Sequence, residues 1–160
     1  MLRSVILLGG LLVLALVNYS IYEREQLRDN GRMVLLELAP VDPRSLMQGD
    51  YMALRFALQT EVIADQNQRD GRAILAVDSR GVARFRRLDN GSALAPAEVR
   101  LFFRIRNGEV RLDTDAFFFQ EGDADLFKDA RYGEVRVNDS GQMVLTGLRD
   151  ESLRKLGPVR

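Results

Sequence analysis

The chain has 160 residues, and its 23 Lys+Arg balance its 23 Asp+Glu to a formal net charge of zero, with 46% apolar residues. That is the make-up of one folded domain with a real core, and it argues against a general nucleic-acid binder, which needs a basic surplus. The chain contains no Cys and no His and only two lysines, Lys128 and Lys155, which removes disulfides, thiol nucleophiles, Cys/His zinc sites and His-based acid–base chemistry.

The N-terminus carries the strongest local signal. Ser4 to Tyr22 holds no charge, and Val5 to Val17 is unbroken apolar sequence. As a helix the uncharged stretch covers roughly 28 Å, close to the hydrocarbon thickness of a bilayer. Tyr19 and Tyr22 fall at its far end, where amphipathic rings favour the interface. Cleavage as a signal peptide needs small residues near the end of the apolar run. Val17, Asn18, Tyr19 and Ser20 supply no such site, and a lipoprotein signal would need a Cys. The expectation is a retained transmembrane anchor over residues 1–22. Arg3 stands before it and Glu23-Arg24-Glu25 after it, so the N-terminus is expected on the cytoplasmic side and the rest outside. In a bacterium that places an inner-membrane anchor below a periplasmic domain.

Residues 23–31 are good helix formers and are expected to continue the helix as a juxtamembrane linker, with Asn30-Gly31 as a left-handed C-cap. A β-rich exported domain is expected over 32–150. Met33 to Leu38 reads as a strand, broken by Ala39-Pro40-Val41-Asp42-Pro43. Asp50 to Leu58 reads as a second, with Met52, Leu54 and Phe56 on one face and Tyr51, Ala53 and Arg55 on the other. Gln59 to Asp70 is polar, a loop or short helix. Hairpins are expected around Asp78-Ser79-Arg80-Gly81, Asn107-Gly108 and Asn138-Asp139-Ser140-Gly141. In the second of these, Val99–Arg106 and Glu109–Asp115 pair Ile105 with Val110, Phe103 with Leu112 and Leu101 with Thr114. The opposite face then pairs Arg106 with Glu109, Phe102 with Asp113 and Arg100 with Asp115.

Phe117-Phe118-Phe119 reads as a buried or capping cluster. Asp123 to Tyr132 reads as a short helix capped by Asp123, with Leu126, Phe127 and Ala130 inward. The tail from 151 is expected to fray. The fold class is therefore mainly β, an antiparallel domain with one short helix behind a transmembrane helix.

Charge is unevenly spread. Residues 72–111 hold nine Arg against four acids, and 112–151 ten acids against four bases. The simplest expectation is pairing between neighbouring strands; the functional one is a two-signed surface that docks a partner or an anionic head group. Asp113, Asp115, Glu121, Asp123, Asp125 and Asp129 are dense enough to suggest a hard cation, but their spacing fits no EF-hand loop. No metal and no cofactor is expected.

The most informative segment runs from Pro40 to Phe56. Two prolines stiffen it, and a polar turn leads through Gly49-Asp50 into a strand. It resembles the bacterial family named for its GDYXXLXY motif: Gly49, Asp50, Tyr51 and Leu54 match, and Phe56 stands where the motif ends in Tyr, losing a hydroxyl and keeping the ring. The resemblance extends to the anchor, to Asp42-Pro43-Arg44-Ser45-Leu46, to the aromatic run before Glu121-Gly122, and to Glu134-Val135-Arg136-Val137. It implies a membrane-anchored accessory protein partnering a polytopic inner-membrane protein, with Gly49, Asp50, Tyr51, Leu54, Arg55 and Phe56 as the motif or interface residues.

A weaker likeness links Ser45-Leu46 and Gly49-Asp50 to the box after the nucleophile of type I signal peptidases. In that alignment Val41 occupies the nucleophile's place and has no hydroxyl. Ser45 falls on a Thr of that box, and neither Lys128 nor Lys155 follows soon after as the dyad lysine does. That likeness implies at most a catalytically dead relative. The expectation is a non-enzymatic interaction domain, with a dead peptidase-like domain or a small-ligand or lipid-head-group binder as alternatives, the last showing as a pocket lined by Tyr51 and arginines.

Overall fold

The computed structural model describes residues 2–39, 47–48, 51–62 and 70–157, with side chains from Gly9 onward and none at 47 and 48. A single helix, α1 (Leu2–Asn30), leads directly into β1 (Arg32–Glu37). Two short strands follow, β2 (Met47–Gln48) and β3 (Tyr51–Ala53), then a helical turn α2 (Leu58–Glu61). Next come β4 (Asp70–Val77), β5 (Val82–Leu88), β6 (Glu98–Arg106), β7 (Glu109–Arg111) and β8 (Ala116–Phe118). A single 3-10 turn, Ala124–Leu126, precedes the last hairpin, β9 (Tyr132–Val137) and β10 (Met143–Arg149).

Seven strands form one sheet in the order β10-β9-β1-β5-β4-β6-β7, and β2-β3-β8 form a second. The mainly β architecture is as expected, but not wholly antiparallel: β1 lies parallel to β5, with Leu35 opposite Val82. The large sheet curls. β9 stands four strands from β6, about 19 Å on a flat sheet, yet the Phe102 N–H donates to the Gly141 carbonyl at 2.7 Å in the turn after β9. Arg72 and Arg100 donate to the carbonyls of Ser140 and Asp139 in the same turn. The tip of the last hairpin thus covers the edge of β6 that the short β7 leaves open, which removes a stretch of unpaired strand edge.

Alternation decides what lies inside. Val34 and Leu36, Ala73 and Leu75, Leu101 and Phe103, and Val135 and Val137 fill the concave side of the sheet. Met52, Leu54, Phe56, Leu58 and Phe127 close it from above. All three hairpins stand on the expected turns. Asn107 and Gly108 both take positive φ (53° and 78°), the pair of left-handed residues a two-residue hairpin turn of this twist requires. Asp78 Oδ1 accepts from the N–H groups of Arg80 and Val82, which fixes the first turn.

Other expectations are corrected. Gly31 is not a left-handed cap; it is absent from the positive-φ residues. A Cβ there would run into the Leu27 carbonyl oxygen and come within 3.0 Å of the Arg136 Cβ, so glycine lets the helix end lie directly on β9. β7 ends at Arg111, on a rung that sets the like charges of Arg104 and Arg111 opposite one another, and the expected pairs beyond it, Phe103–Leu112 and Leu101–Thr114, do not form. Beyond it the chain turns to the second sheet, where the Asp115 carbonyl accepts from Leu54 N–H, and Arg100 pairs with Asp89 instead of Asp115.

The strand expected over Asp50–Leu58 is β3 followed by an isolated bridge from Phe56 to Leu38. The expected helix from Asp123 is only one 3-10 turn, and the Asp123 side chain makes no cap hydrogen bond. Leu126 is exposed, while Phe127 enters the core between Phe117 and Phe119. Ten residues with three Asp among them are too few to form a stable helix on local propensity, so packing of Phe127 decides. The tail does not fray through Gly157: Leu156 N–H donates to Leu148, Arg149 bridges Lys155, and the Phe127 ring lies against Gly157.

Candidate functional site

Gly49 and Asp50 lie outside the described residues, as do Val41 and Ser45. The rest of the motif divides by face. Leu54 and Phe56 are buried, Phe56 at 1% exposure. The Phe56 ring packs on Gly133 at the start of β9, where an added Cβ would stand 2.8 Å from Cε1. Around it the backbone is fully tied: Ala39 N–H donates to the Arg55 carbonyl, Ala57 N–H to Glu37, and Phe56 N–H to Gln59 Oε1. Gln59 in turn donates from Nε2 to the Val110 carbonyl at 2.8 Å. Arg55 is exposed.

Tyr51 stands on the opposite side of the strand. It pairs with Phe118 of β8, and the two rings lie 5.8 Å apart at 39°. Phe118 is 74% exposed, whereas its neighbours Phe117 and Phe119 pack on Phe127. So the aromatic run is part core and part surface, and Tyr51–Phe118 forms an aromatic patch on the outside of the small sheet. Three segments far apart in sequence meet here: the motif strand, the aromatic run and the start of β9. Leu54 and Phe56 hold them together. The alternation in the motif identified the buried set, but nothing local in the sequence pointed to Phe118 or Gly133 as partners.

The charged groups sort differently from expectation. The arginine-rich segment is neutralised mainly from within: Arg86 and Arg87 reach Glu98 at 2.7 and 3.5 Å, Arg100 reaches Asp89 at 2.6 Å, and Arg111 reaches Glu109. Among the described residues the only ion pair joining it to the acidic segment is Arg104–Asp113, at 3.9 Å. Within that segment Glu134, 5% exposed, accepts from Thr146 at 2.9 Å and from Arg149 at 2.8 Å, with Lys155 at 3.9 Å. Burial pushes the Glu134 carboxyl up, but those hydrogen bonds and the two cations outweigh it and hold it below the usual range. Glu98 is also lowered, first by the Ala95 N–H and then by Arg86 and Arg87 against burial. Asp150 is lowered first by the Arg154 N–H. These are structural clasps: each carboxylate is saturated by partners. Among the described residues no three acidic side chains converge as a metal ion would require. The two lysines are apart in role, Lys155 beside Glu134 and Lys128 on the exposed loop after the 3-10 turn.

A second feature lies away from the motif. Between the last three turns of α1 and the β9–β10 turn runs a groove of about 460 Å³. Tyr22, Glu23, Gln26, Arg32, Asp139 and Gln142 are among the residues that line it. On the helix, Gln26 Nε2 donates to the Tyr22 hydroxyl at 2.9 Å and Asn30 Nδ2 to Gln26 Oε1, a polar ladder at four-residue spacing. Below it the apolar side chains of α1 are open: Leu11, Leu12, Val13, Leu14, Leu16 and Val17 are 50–68% exposed. Among the described residues no helix is long and apolar enough to cross a membrane; the first part of the apolar run, Val5 to Leu8, has its side chains outside that set.

Compared with known families, residues 13–148 match the family model described as GDYXXLXY protein. No curated protein and no solved structure matches, so the likeness to the peptidase box rests on the sequence alone.

Proposed function

The chain belongs to the GDYXXLXY family, and from that premise we propose that it is a non-enzymatic, membrane-anchored accessory domain that docks a polytopic inner-membrane protein from the periplasmic side. The observation that carries this reading is the division of labour along α1. Its N-terminal part bears an unbroken apolar sequence whose described Leu and Val side chains are exposed, while its C-terminal end is fixed to β9. A row of exposed Leu and Val on a helix costs free energy in water and gains it in lipid. Partner docking falls to the Tyr51–Phe118 patch, because an exposed aromatic ring backed by a half-buried tyrosine on a tied-down strand suits an interface. Leu54 and Phe56, by contrast, maintain the strand that presents it.

The test is purification of the tagged full-length protein from native membranes in detergent, beside Tyr51→Ala, Phe118→Ala and a Ser79→Ala control. A stoichiometric protein with several membrane spans should accompany the wild type and the control, and be lost from both aromatic variants while their melting temperatures hold. Wild-type protein that comes out alone, or in the soluble fraction, would sink the proposal. A partner retained by both variants would move the interface away from the motif.

A further inference from the structure

The groove between α1 and the β9–β10 turn has a composition that selects a ligand. Two carboxylates, Glu23 and Asp139, line it; neither makes an ion pair among the described residues, and Glu23 shares a hydrogen bond with Tyr19 one turn earlier on the helix. The helix positions three and four residues from Glu23 are Tyr19, Ser20, Gln26 and Leu27, so no cation shares its face. One arginine, Arg32, lines the same groove. Its Nη1 donates to the carbonyls of Pro96 and Glu98, which fixes the guanidinium in place, and Nε and Nη2 make no hydrogen bond among the described residues. Gln26 Oε1 already accepts from Asn30 and Gln142 Oε1 from Asn138 and Ser140, so the amide oxygen of Asn30 is the further acceptor in the groove.

We propose that this groove binds the head group of an amine-bearing phospholipid, with the ammonium taken by Glu23 and Asp139 and the phosphate by Arg32. The inference rests on the anchor reading: Tyr19 and Tyr22 line the groove and also end the uncharged stretch, which sets the groove at head-group height. An excess of one carboxylate disfavours a purely anionic head group. A quaternary ammonium has no N–H for the carboxylates and the amide oxygen to accept, whereas a primary ammonium has three donors. The groove is open rather than enclosed, which suffices where the ligand is already concentrated in the surrounding leaflet.

The full-length protein is reconstituted into vesicles of equal parts phosphatidylethanolamine, phosphatidylcholine and phosphatidylglycerol. It is then floated on a density gradient, re-extracted in detergent and analysed for retained lipid by native mass spectrometry. Phosphatidylethanolamine should be retained about tenfold over each of the others. The double variant Glu23→Gln/Asp139→Asn should lose that preference, while Glu25→Gln keeps it; all three positions are exposed, so folding should be unaffected. Protein that floats and retains the three lipids equally, or a double variant with undiminished preference, overturns the head-group site and leaves the anchor standing. Protein that fails to float on any vesicle overturns the anchor reading itself, and this proposal with it.

Discussion

Phe56 is buried in the core just after β3, Phe118 lies on the outside of the small sheet, and the two should respond oppositely to truncation. Phe56→Ala removes a ring packed on Gly133 and is expected to cost about 3–5 kcal/mol in denaturant unfolding. Phe118→Ala should cost under about 0.5 kcal/mol, because the ring is mostly in water already. Equal losses would mean that the exposed ring is structural. At Glu134 the issue is charge. Glu134→Gln keeps the shape but leaves Arg149 half-buried without its carboxylate, and a loss of about 1–3 kcal/mol is expected in the same assay. The strand alternation made the burial of Met52, Leu54 and Phe56 readable in advance. The Glu134 clasp was not readable, because its partners come from β10 and the tail, and nothing local marks a Glu on a strand as buried.

Among the elements, the hairpins were legible and the long-range pairings were not. Asn107-Gly108 carries its own backbone conformation, so turn and register follow from neighbouring residues. The parallel match of β1 to β5 and the pairing of β3 with β8 depend on chain segments dozens of residues apart, and no short-range pattern encodes them. The same holds for the short β7, where the like charges of Arg104 and Arg111 and the pull of the second sheet override the alternation. Gly31 illustrates a residue read for the wrong reason: its small size, not its φ, is what the junction uses. Gly31→Val should therefore force α1 off β9, lowering the melting temperature and opening a protease site between Leu27 and Met33 in the detergent-solubilised protein. Unchanged melting and digestion would show that the helix end is not seated there.

For the molecule as a whole, acid should be the weak side. Asp78, Asp89, Glu98, Glu134 and Asp150 are all held below their ordinary values, so each stabilises the folded state above the unfolded carboxylate range of about 3.9–4.3. That contribution is lost as pH falls through the lower folded values. Since the chain has no His, melting temperature should be flat from about pH 5.5 to pH 8 and drop below about pH 4. A slope near pH 6.5 would contradict this. The absence of cysteine also allows a clean topology assay: a Ser79→Cys variant should react with a membrane-impermeant maleimide in intact spheroplasts, and an unreactive one would place the domain on the cytoplasmic side. The passage from helix to sheet through the single residue Gly31 has a further meaning. With no slack between stem and head, the domain has no tether to swing on. With α1 anchored as proposed, it keeps only two freedoms, spin about the helix axis and drift within the plane of the bilayer. Any partner is then met sideways, at a fixed height, as one tile meets another on a floor.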